Sequence, residues 1–461
     1  MQSQKKNDFS QGSVPKLITS LAIPMIGAQL VNALYSVVDR MYVARIPGEG
    51  MLALTGIGVT FPLLMIVTAF ANLAGMGGAP LSSIARGEGR DDYAEKVLGN
   101  SFTMLLAFAV ALTAIGLLIK DGVLMAFGAS ADTFPYANAY ITIYLLGCVT
   151  VMFTVGMNPF INAQGFARVG MLTVVIGAVI NIILDPIFIF ALHMGVQGAA
   201  LATVLAQAVS AVWVLWFLRS KRCIYRLKLA NMKPDWSVIR RILALGVSKF
   251  TMSLTECTVQ IVCNSTLQAF GGDTYVTVMT VINTVRQMIL MALHGYTDGA
   301  QPVIGYNYGA KLYSRVRTAV NATTYVTLSY ATLVWALMLL FPAQVMQIFN
   351  GDEAVISAGI PAFRVYFAAF FAMFMQMTGQ ATFVALGCSK QATFFSLLRK
   401  AFIVAPLVLI LPRLGMGVMG VFAAEPISDL VGSTACFIVM KRTLKQKLPQ
   451  DDAAAALKAA Q

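Results

Sequence analysis

Shifted by 222 residues, the chain falls on its own punctuation. Leu21 and Ala22 meet Leu243 and Ala244, and Gly77, Pro80 and Gly87 meet Gly299, Pro302 and Gly309. Phe127 meets Phe349, Tyr144 meets Tyr366, and Gly165 meets Gly387. The run Gly195, Val196, x, Gly198 meets Gly417, Val418, x, Gly420. A register that holds from the first apolar stretch to the last describes two copies of one structural plan, each about 220 residues. Whatever the chain builds, it builds twice.

The medium is read from the apolar runs. Hydrophobic residues make up 58% of the chain and charged residues 11%, with a mean hydropathy of +0.75. A soluble domain carries about 25% charged residues. Leu98–Ile119 and Leu201–Leu218 contain no ionisable side chain, and runs of about 20 such residues read as membrane spans. Hydrocarbon then demands helices, which satisfy their own backbone groups. The period-two alternation of a membrane barrel is absent.

The expected fold is an all-α polytopic membrane protein of twelve transmembrane helices in two six-helix lobes. The spans of the first half are placed at 15–44, 52–84, 97–118, 133–165, 170–191 and 197–218. Those of the second are placed at 242–269, 275–306, 319–341, 356–386, 401–412 and 418–440. The domain expectation is a first lobe at 1–218, a cytoplasmic linker at 219–241, a second lobe at 242–442 and a cytoplasmic tail at 443–461. An even number of spans per half keeps both halves the same way up. They should therefore be related by a pseudo-two-fold axis along the membrane normal. Two embedded copies around a central site is a transporter arrangement.

Charge sets the orientation. With both ends inside, the inner segments hold 26 of the 33 Lys and Arg, eight of them in Arg219–Arg241. The outer loops hold Arg40, Arg45, Lys120 and Arg413, and Lys249, Arg286 and Arg364 fall within spans. This is the positive-inside bias, and it accounts for the net charge of +13 without nucleic acid. No zinc spacing or helix-turn-helix supports a nucleic-acid partner. The start, 1–13, is polar, and the first apolar stretch is too long for a signal core, so it is read as a retained span. The six cysteines form no C-x-x-C pair and read as free, buried thiols.

Ionisable side chains inside spans are costly and usually face a cavity or a partner. The first half has two, Asp39 and Asp185, at similar depth from the outer boundary at about 1.5 Å per residue. Asn181 precedes Asp185 by one helical turn and shares its face. Thr203 and Tyr140 enter at similar depth. Together they are expected to line one polar pocket, with the bland alternative of helix capping at Asp185-Pro186. The second half carries Glu256, His294, Asp298, Glu425 and Asp429. Arg286 and Arg364 are possible partners, including an Arg364–Glu425 pair. Carboxylates in such a cavity bind cations or take up protons, so no cofactor is expected beyond a transported H+ or Na+. Any Na+ would sit at Asp39 and Asp185.

At this point the chain resembles the multidrug and toxic compound extrusion (MATE) family, bacterial type. The resemblance rests on several motifs in order. They are Gly75-Met-Gly-Gly-Ala-Pro80 and Gly299-Ala-Gln-Pro302 at the ends of the second spans, leading to Ala-Arg-Gly87 and Tyr-Asn-Tyr-Gly-Ala310. Gly195-Val-Gln-Gly-Ala199 and Gly417-Val-Met-Gly420 open the sixth and twelfth spans. Pro24 precedes Asp39 by fifteen residues, and Asn-x-x-x-Asp-Pro occupies Asn181–Pro186. The resemblance implies an antiporter that exports organic cations and drugs against inward sodium or proton flow, from a bacterial inner membrane. It implies that Asp39, Asn181, Asp185 and Thr203 form the cation or proton site, and that span one bends at Pro24. It implies a role for Glu256 in some branches, paired there with an aspartate in span ten. Here that span offers only Gln376 and Gln380, which weights the first lobe; with Tyr140 and Glu256 they are the candidates for a substrate or second-lobe site. Met373–Met377 could form an adaptable wall for varied drugs or simply pack.

Three rivals remain. A lipid-linked oligosaccharide flippase of the same superfamily would want a cationic cavity, and the intramembrane acids argue against it. A major-facilitator carrier fits the Gly-rich breaks less well. An intramembrane enzyme lacks its signatures, and His193 and His294 lie in opposite halves. The expected partners are small organic cations and the bilayer, and nothing demands an oligomer.

Overall fold

A computed structural model describes residues 8–349 and 352–448, and among these it contains helices and turns but no strand. Ten runs are long and apolar enough to cross a membrane. One of them, Trp236–Gly309, is two helices meeting at Gly272, and the bent pair Phe134–Leu146 and Cys148–Ala163 adds one more span. The total is therefore twelve. In order they are α1 (Val14–Ala44), α2 (Gly50–Gly87), α3 (Asp91–Ala126), α4 (Phe134–Leu146 with Cys148–Ala163), α5 (Ala167–Ala191) and α6 (Gly195–Arg219). The second six are α7 (236–271), α8 (273–309), α9 (Tyr313–Leu340), α10 (Glu353–Ala385), α11 (Ser389–Leu414) and α12 (Val418–Lys447). The chain is a multi-pass membrane protein.

Glycines set the breaks. Gly272 has φ 67° and ψ −166°, a conformation that any Cβ would strain. Helix α4 bends by 60° at Gly147. A Cβ there would lie 2.3 Å from the Val204 side chain of α6, so glycine is what lets α6 pack at the bend. One repeat period on, α10 departs from α-helical geometry at Ala369 and makes a 3-10 turn at Phe370–Ala372. Both fourth spans of the repeat thus break at the same place.

Span eleven corrects the sequence reading. It begins at Ser389 and not at 401, so Arg399 and Lys400, counted above as inner loop, lie inside it. The two cations interrupted the apolar run and made it look short. They are buried within a π-helical segment, Leu398–Val404, where charged partners offset their cost. The inner segments therefore hold two fewer cations than expected. Helix α12 runs on to Lys447, through the start of the expected tail. The remainder of that tail, 449–461, lies outside the described residues.

The chain divides into two compact units, but not at its midpoint. One comprises Ile23–Phe250; the other comprises Phe9–Ala22 and the residues from Thr251 on. Each unit therefore contains the start of the other repeat's first helix. In the first unit the start of α7 lies on α2. A Cβ on Gly77 would fall 2.2 Å from the Ile242 carbonyl oxygen, and one on Gly246 would fall 1.9 Å from that of Leu73. In the second unit the start of α1 lies on α8, where a Cβ on Gly299 would fall 2.8 Å from the Ala22 nitrogen. Gly77 and Gly299, one repeat period apart, thus do the same job. The residues before α1 are held there by hydrogen bonds. Asn307 Nδ2 and Arg315 Nη2 donate to the Phe9 carbonyl oxygen at 3.1 and 2.9 Å, and Arg315 Nη1 donates to that of Gly12 at 3.0 Å. Helix α1 changes unit between Ala22 and Ile23, beside Pro24.

The connection between α6 and α7 is pinned to the first unit. Cys223, Tyr225 and Leu227 alternate inward and are buried. Glu95 accepts from the Arg226 backbone N–H at 3.2 Å and Asn231 Nδ2 at 3.4 Å, and pairs with Lys228 Nζ at 2.6 Å. Gln164 Oε1 accepts from the Ile224 N–H at 2.8 Å, and Asn100 Oδ1 from the Asp235 N–H at 2.7 Å. Asp235 in turn caps α7, accepting from Ser237 N–H and Oγ at 2.9 and 2.8 Å. Those bonds hold its carboxyl below the usual carboxylate range, so the cap is ionised at neutral pH.

The closest backbone approach makes a stability prediction. Gly246→Val inserts a branched side chain where Leu73 already stands, and overpacking of this kind costs about 1–3 kcal/mol. Thermal unfolding in detergent should show a clear loss. Gly58→Val, at a glycine with open space around it, should cost much less.

Candidate functional site

In the first unit, four helices bring oxygen atoms to one buried place. Helix α1 carries Tyr35 and Asp39, one turn apart. Helix α5 carries Asn181 and Asp185, also one turn apart, followed by Pro186 and the π-helical segment Ile187–Ala191 that relaxes the helix. Helix α6 carries Thr203, and α4 carries Tyr140. Asp185, Asn181 and Tyr140 are 0%, 1% and 4% exposed. Asn181 Nδ2 donates to Asp185 Oδ1 at 3.3 Å and to Thr203 Oγ1 at 3.4 Å. The carboxyl groups of Asp39 and Asp185 come within hydrogen-bonding reach of each other. The Tyr140 hydroxyl reaches Thr203, and Tyr35 stands beside both carboxyls.

The set is short of positive charge. Asp39 Oδ1, Asp185 Oδ2 and Asn181 Oδ1 are buried without a hydrogen-bond donor among the described residues. Arg40 follows Asp39 in the chain, but it is exposed. A buried acceptor without a donor is costly, and two facing carboxylates repel. An added proton or a small hard cation relieves both. The three unanswered atoms are all oxygens, the ligand type that suits such an ion. Among the described residues no group of three or more His, Cys, Asp or Glu is arranged to hold a metal, so any bound ion would draw on hydroxyl and amide oxygens as well.

The second unit buries charge in a different way. Glu425 Oε1 meets Arg399 Nη1 at 3.0 Å, Lys400 Nζ at 2.8 Å and Arg286 Nη2 at 3.1 Å. Asp429 Oδ1 meets Arg399 Nη1 at 2.6 Å. All five residues are at most 9% exposed. On a regular α-helix, adjacent residues point about 100° apart. The wider π turn at Leu398–Val404 lets Arg399 and Lys400 both face α12. Glu256, half-buried on α7, lies within electrostatic reach of all three cations. The Arg364–Glu425 pair considered from sequence does not form: Arg364 is exposed, and three other cations hold Glu425.

The other sequence candidates of this half make contacts within and between neighbouring helices. Gln376 Nε2 donates to the Phe395 carbonyl oxygen at 3.3 Å; Gln380 Nε2 donates to that of Ala392 at 3.0 Å and to Ser396 Oγ at 2.8 Å. Both side chains fasten α10 to α11. Met373 and Met377 lie in the apolar core. Asp298 accepts from Gln301 Nε2 at 3.1 Å, one turn along the same helix.

The MatE family model matches residues 24–187 and 250–410, more than half of the chain. The chain belongs to the MatE family. The two matched stretches lie close to one repeat period apart, so each half of the chain meets the family pattern once. Its relatives include the multidrug export protein MepA of Staphylococcus haemolyticus, 24% identical over 462 residues, covering 96% of this chain and 97% of the relative. MepA of Staphylococcus aureus is 23% identical over 444 residues, covering 95% and 96%. Among solved structures, MATE in its bent conformation aligns with a TM-score of 0.89 and 25% identity, covering 95% of this chain and 96% of that one. The outward-facing form of a multidrug resistance MATE family transporter aligns at 0.87 and 25%, covering 95% and 98%.

Within this MatE chain, sequence reasoning missed three residues at the two buried sets. Tyr35 carried a usable signal, being one turn before Asp39 and on its face. Arg399 and Lys400 carried none at the level of hydropathy, because unpaired cations end a span. Their signal was the pair of acids four apart on α12, which need partners of opposite charge at the same depth.

Removing one member of that buried set leaves its partners uncompensated, a loss of about 3–5 kcal/mol. Glu425→Gln in this MatE chain should therefore lower thermal stability strongly. Glu353→Gln, at an exposed position at the start of α10, should leave it nearly unchanged.

Proposed function

We propose that the chain is a secondary antiporter that exports organic cations and drugs in exchange for H+ or Na+. On this reading it lies in a bacterial cytoplasmic membrane with both termini inside. The observation that carries the reading is the Asp39–Asp185 pair, whose enclosed oxygens Asp39 Oδ1 and Asp185 Oδ2 have no hydrogen-bond donor among the described residues, with only the exposed Arg40 beside Asp39. Multidrug export by the MepA relatives supports the substrate class. The basic bias of the inner segments supports the orientation.

The mechanism follows from where Asp39 stands. Binding a proton or Na+ changes the local charge by one unit and draws Asp39 and Asp185 together with Asn181 and Thr203. Asp39 is on the same helix as Pro24, fifteen residues away. Proline removes a backbone hydrogen bond and lets a helix bend at low cost. Ion binding then biases α1 between a straight and a bent form, and with it the cavity that the helix lines. The ion shifts that balance only by its differential affinity for the two forms. A cationic substrate held in that cavity need not touch Asp39; it is released as the bend changes the cavity's shape. A phosphate-bearing lipid-linked sugar would gain nothing from this acidic pair.

Efflux of a cationic dye from proteoliposomes, with proton and sodium gradients imposed separately, tests the reading. Asp39→Asn should cut gradient-driven export by roughly tenfold or more, the scale of ordinary coupling between two sites. Export at the wild-type rate would remove Asp39 from the mechanism and make Glu256 the first alternative. Pro24→Ala should slow export while ion binding, measured on the purified protein, stays close to wild type. If both fall together, the proline serves the site itself and not the bend.

A further inference from the structure

The two buried sets share one place in the repeat and differ at the others: one period carries Asp39, Asn181 and Asp185 onto Ile261, Ile403 and Leu407. One period of 222 residues carries Thr203 onto Glu425 and Gln207 onto Asp429, both pairs on the last helix of their halves. It carries Gly177 and Ala178 onto Arg399 and Lys400, Tyr144 onto Tyr366, and Ser210 onto Gly432. The helix pairs α5–α6 and α11–α12 therefore meet through equivalent positions, with different chemistry at each.

Size and charge have been exchanged in a complementary way. In the first unit Gly177 is the small partner, and a Cβ there would fall 2.7 Å from Ser210 Oγ. In the second unit the glycine is on the other helix. Arg399 lays its stem across Gly432, with its Cγ 3.4 Å from where a Cβ would stand. The room gained at Gly432, together with the π turn, admits Arg399 and Lys400 beside Glu425 and Asp429. The Ser428 hydroxyl donates to the Arg399 carbonyl oxygen at 2.7 Å and ties the widened turn to α12. Two acids thus face three cations directly, Arg286, Arg399 and Lys400, and the nearby Glu256 brings the set to three against three.

We propose that the second unit carries its cations built in. Arg399 and Lys400, with Arg286, answer Glu425 and Asp429 as covalent parts of the chain, the service that an exchanging ion gives Asp39 and Asp185 in the first unit. The buried acids of the second unit are then permanently compensated, and coupling ions bind only at Asp39–Asp185. This inference rests on the coupling role proposed above for that pair. It assigns Arg399 and Lys400 as residues that fix how many ions the chain can carry.

Cation binding per chain, measured on purified full-length protein with radioactive sodium and as protons released on adding sodium, tests it. The wild type should bind one equivalent, and Asp39→Asn/Asp185→Asn should bind none. That double variant leaves the second-unit set intact, so the result does not depend on whether a cluster variant folds. If the double variant keeps an equivalent that Glu425→Gln or Asp429→Asn then removes, the proposal is overturned. Adding Lys400→Met to the double variant should restore one equivalent, and adding Glu425→Gln as well should abolish it. A folded Lys400→Met variant that gains no cation would show that Lys400 does not fill an ion's place. A wild type that binds no cation would instead sink the coupling role of Asp39–Asp185, while the Lys400→Met arm would still decide the present inference.

Discussion

A charge carried into hydrocarbon has to be answered within the chain or by something the chain binds, and both units are arranged around that demand. In the second unit the answer is internal. Glu425 collects Arg286, Arg399 and Lys400, and Asp429 collects Arg399 again. The helices that carry them, α8, α11 and α12, are held in register by those bonds. In the first unit the answer is incomplete. Asn181 supplies one donor to Asp185 and another to Thr203, and the remaining acceptor atoms stay unanswered. The same constraint that locks one unit leaves the other with acceptor oxygens still to be answered.

Helix α1 connects these oxygens to a larger element. Its first residues belong to the second unit, and its remainder, with Asp39, belongs to the first. Pro24 stands at the changeover, where a weakened helix is most easily flexed. Asp39 thus stands on the long arm of a helix whose short arm belongs to the second unit, where Asn307 and Arg315 hold the residues that precede it.

Much of this was legible in the sequence, for physical reasons. Hydrocarbon forces long apolar runs, so the spans could be counted. Each helix face repeats every turn, so Asn181 and Asp185 could be placed side by side, and depth brought in Asp39 and Thr203. Span eleven was not legible. Its two cations are compatible with a span only because acids on α12 neutralise them, and one-dimensional hydropathy does not see a partner on another helix. The role of Gln376 and Gln380 was hidden for a related reason: an amide that fastens two helices and an amide that lines a cavity look alike in sequence. The repeat exposed the equivalence of Gly77 and Gly299 but not what each touches, because periodicity says nothing about contacts between copies.

The mutual placement of the first helices bears on how such a chain arises. Gly77 makes a groove on α2 that is filled by the start of α7, and Gly299 makes one on α8 that is filled by the start of α1. A single six-helix half would have the groove but would send its own first helix away from it. Its stable form would be a pair of identical halves that trade first helices, as domain-swapped dimers do. The present chain carries that exchange of first helices within one polypeptide, and joining the halves lets their buried charges differ: acids with unanswered oxygens in one, acids paired with arginine and lysine in the other.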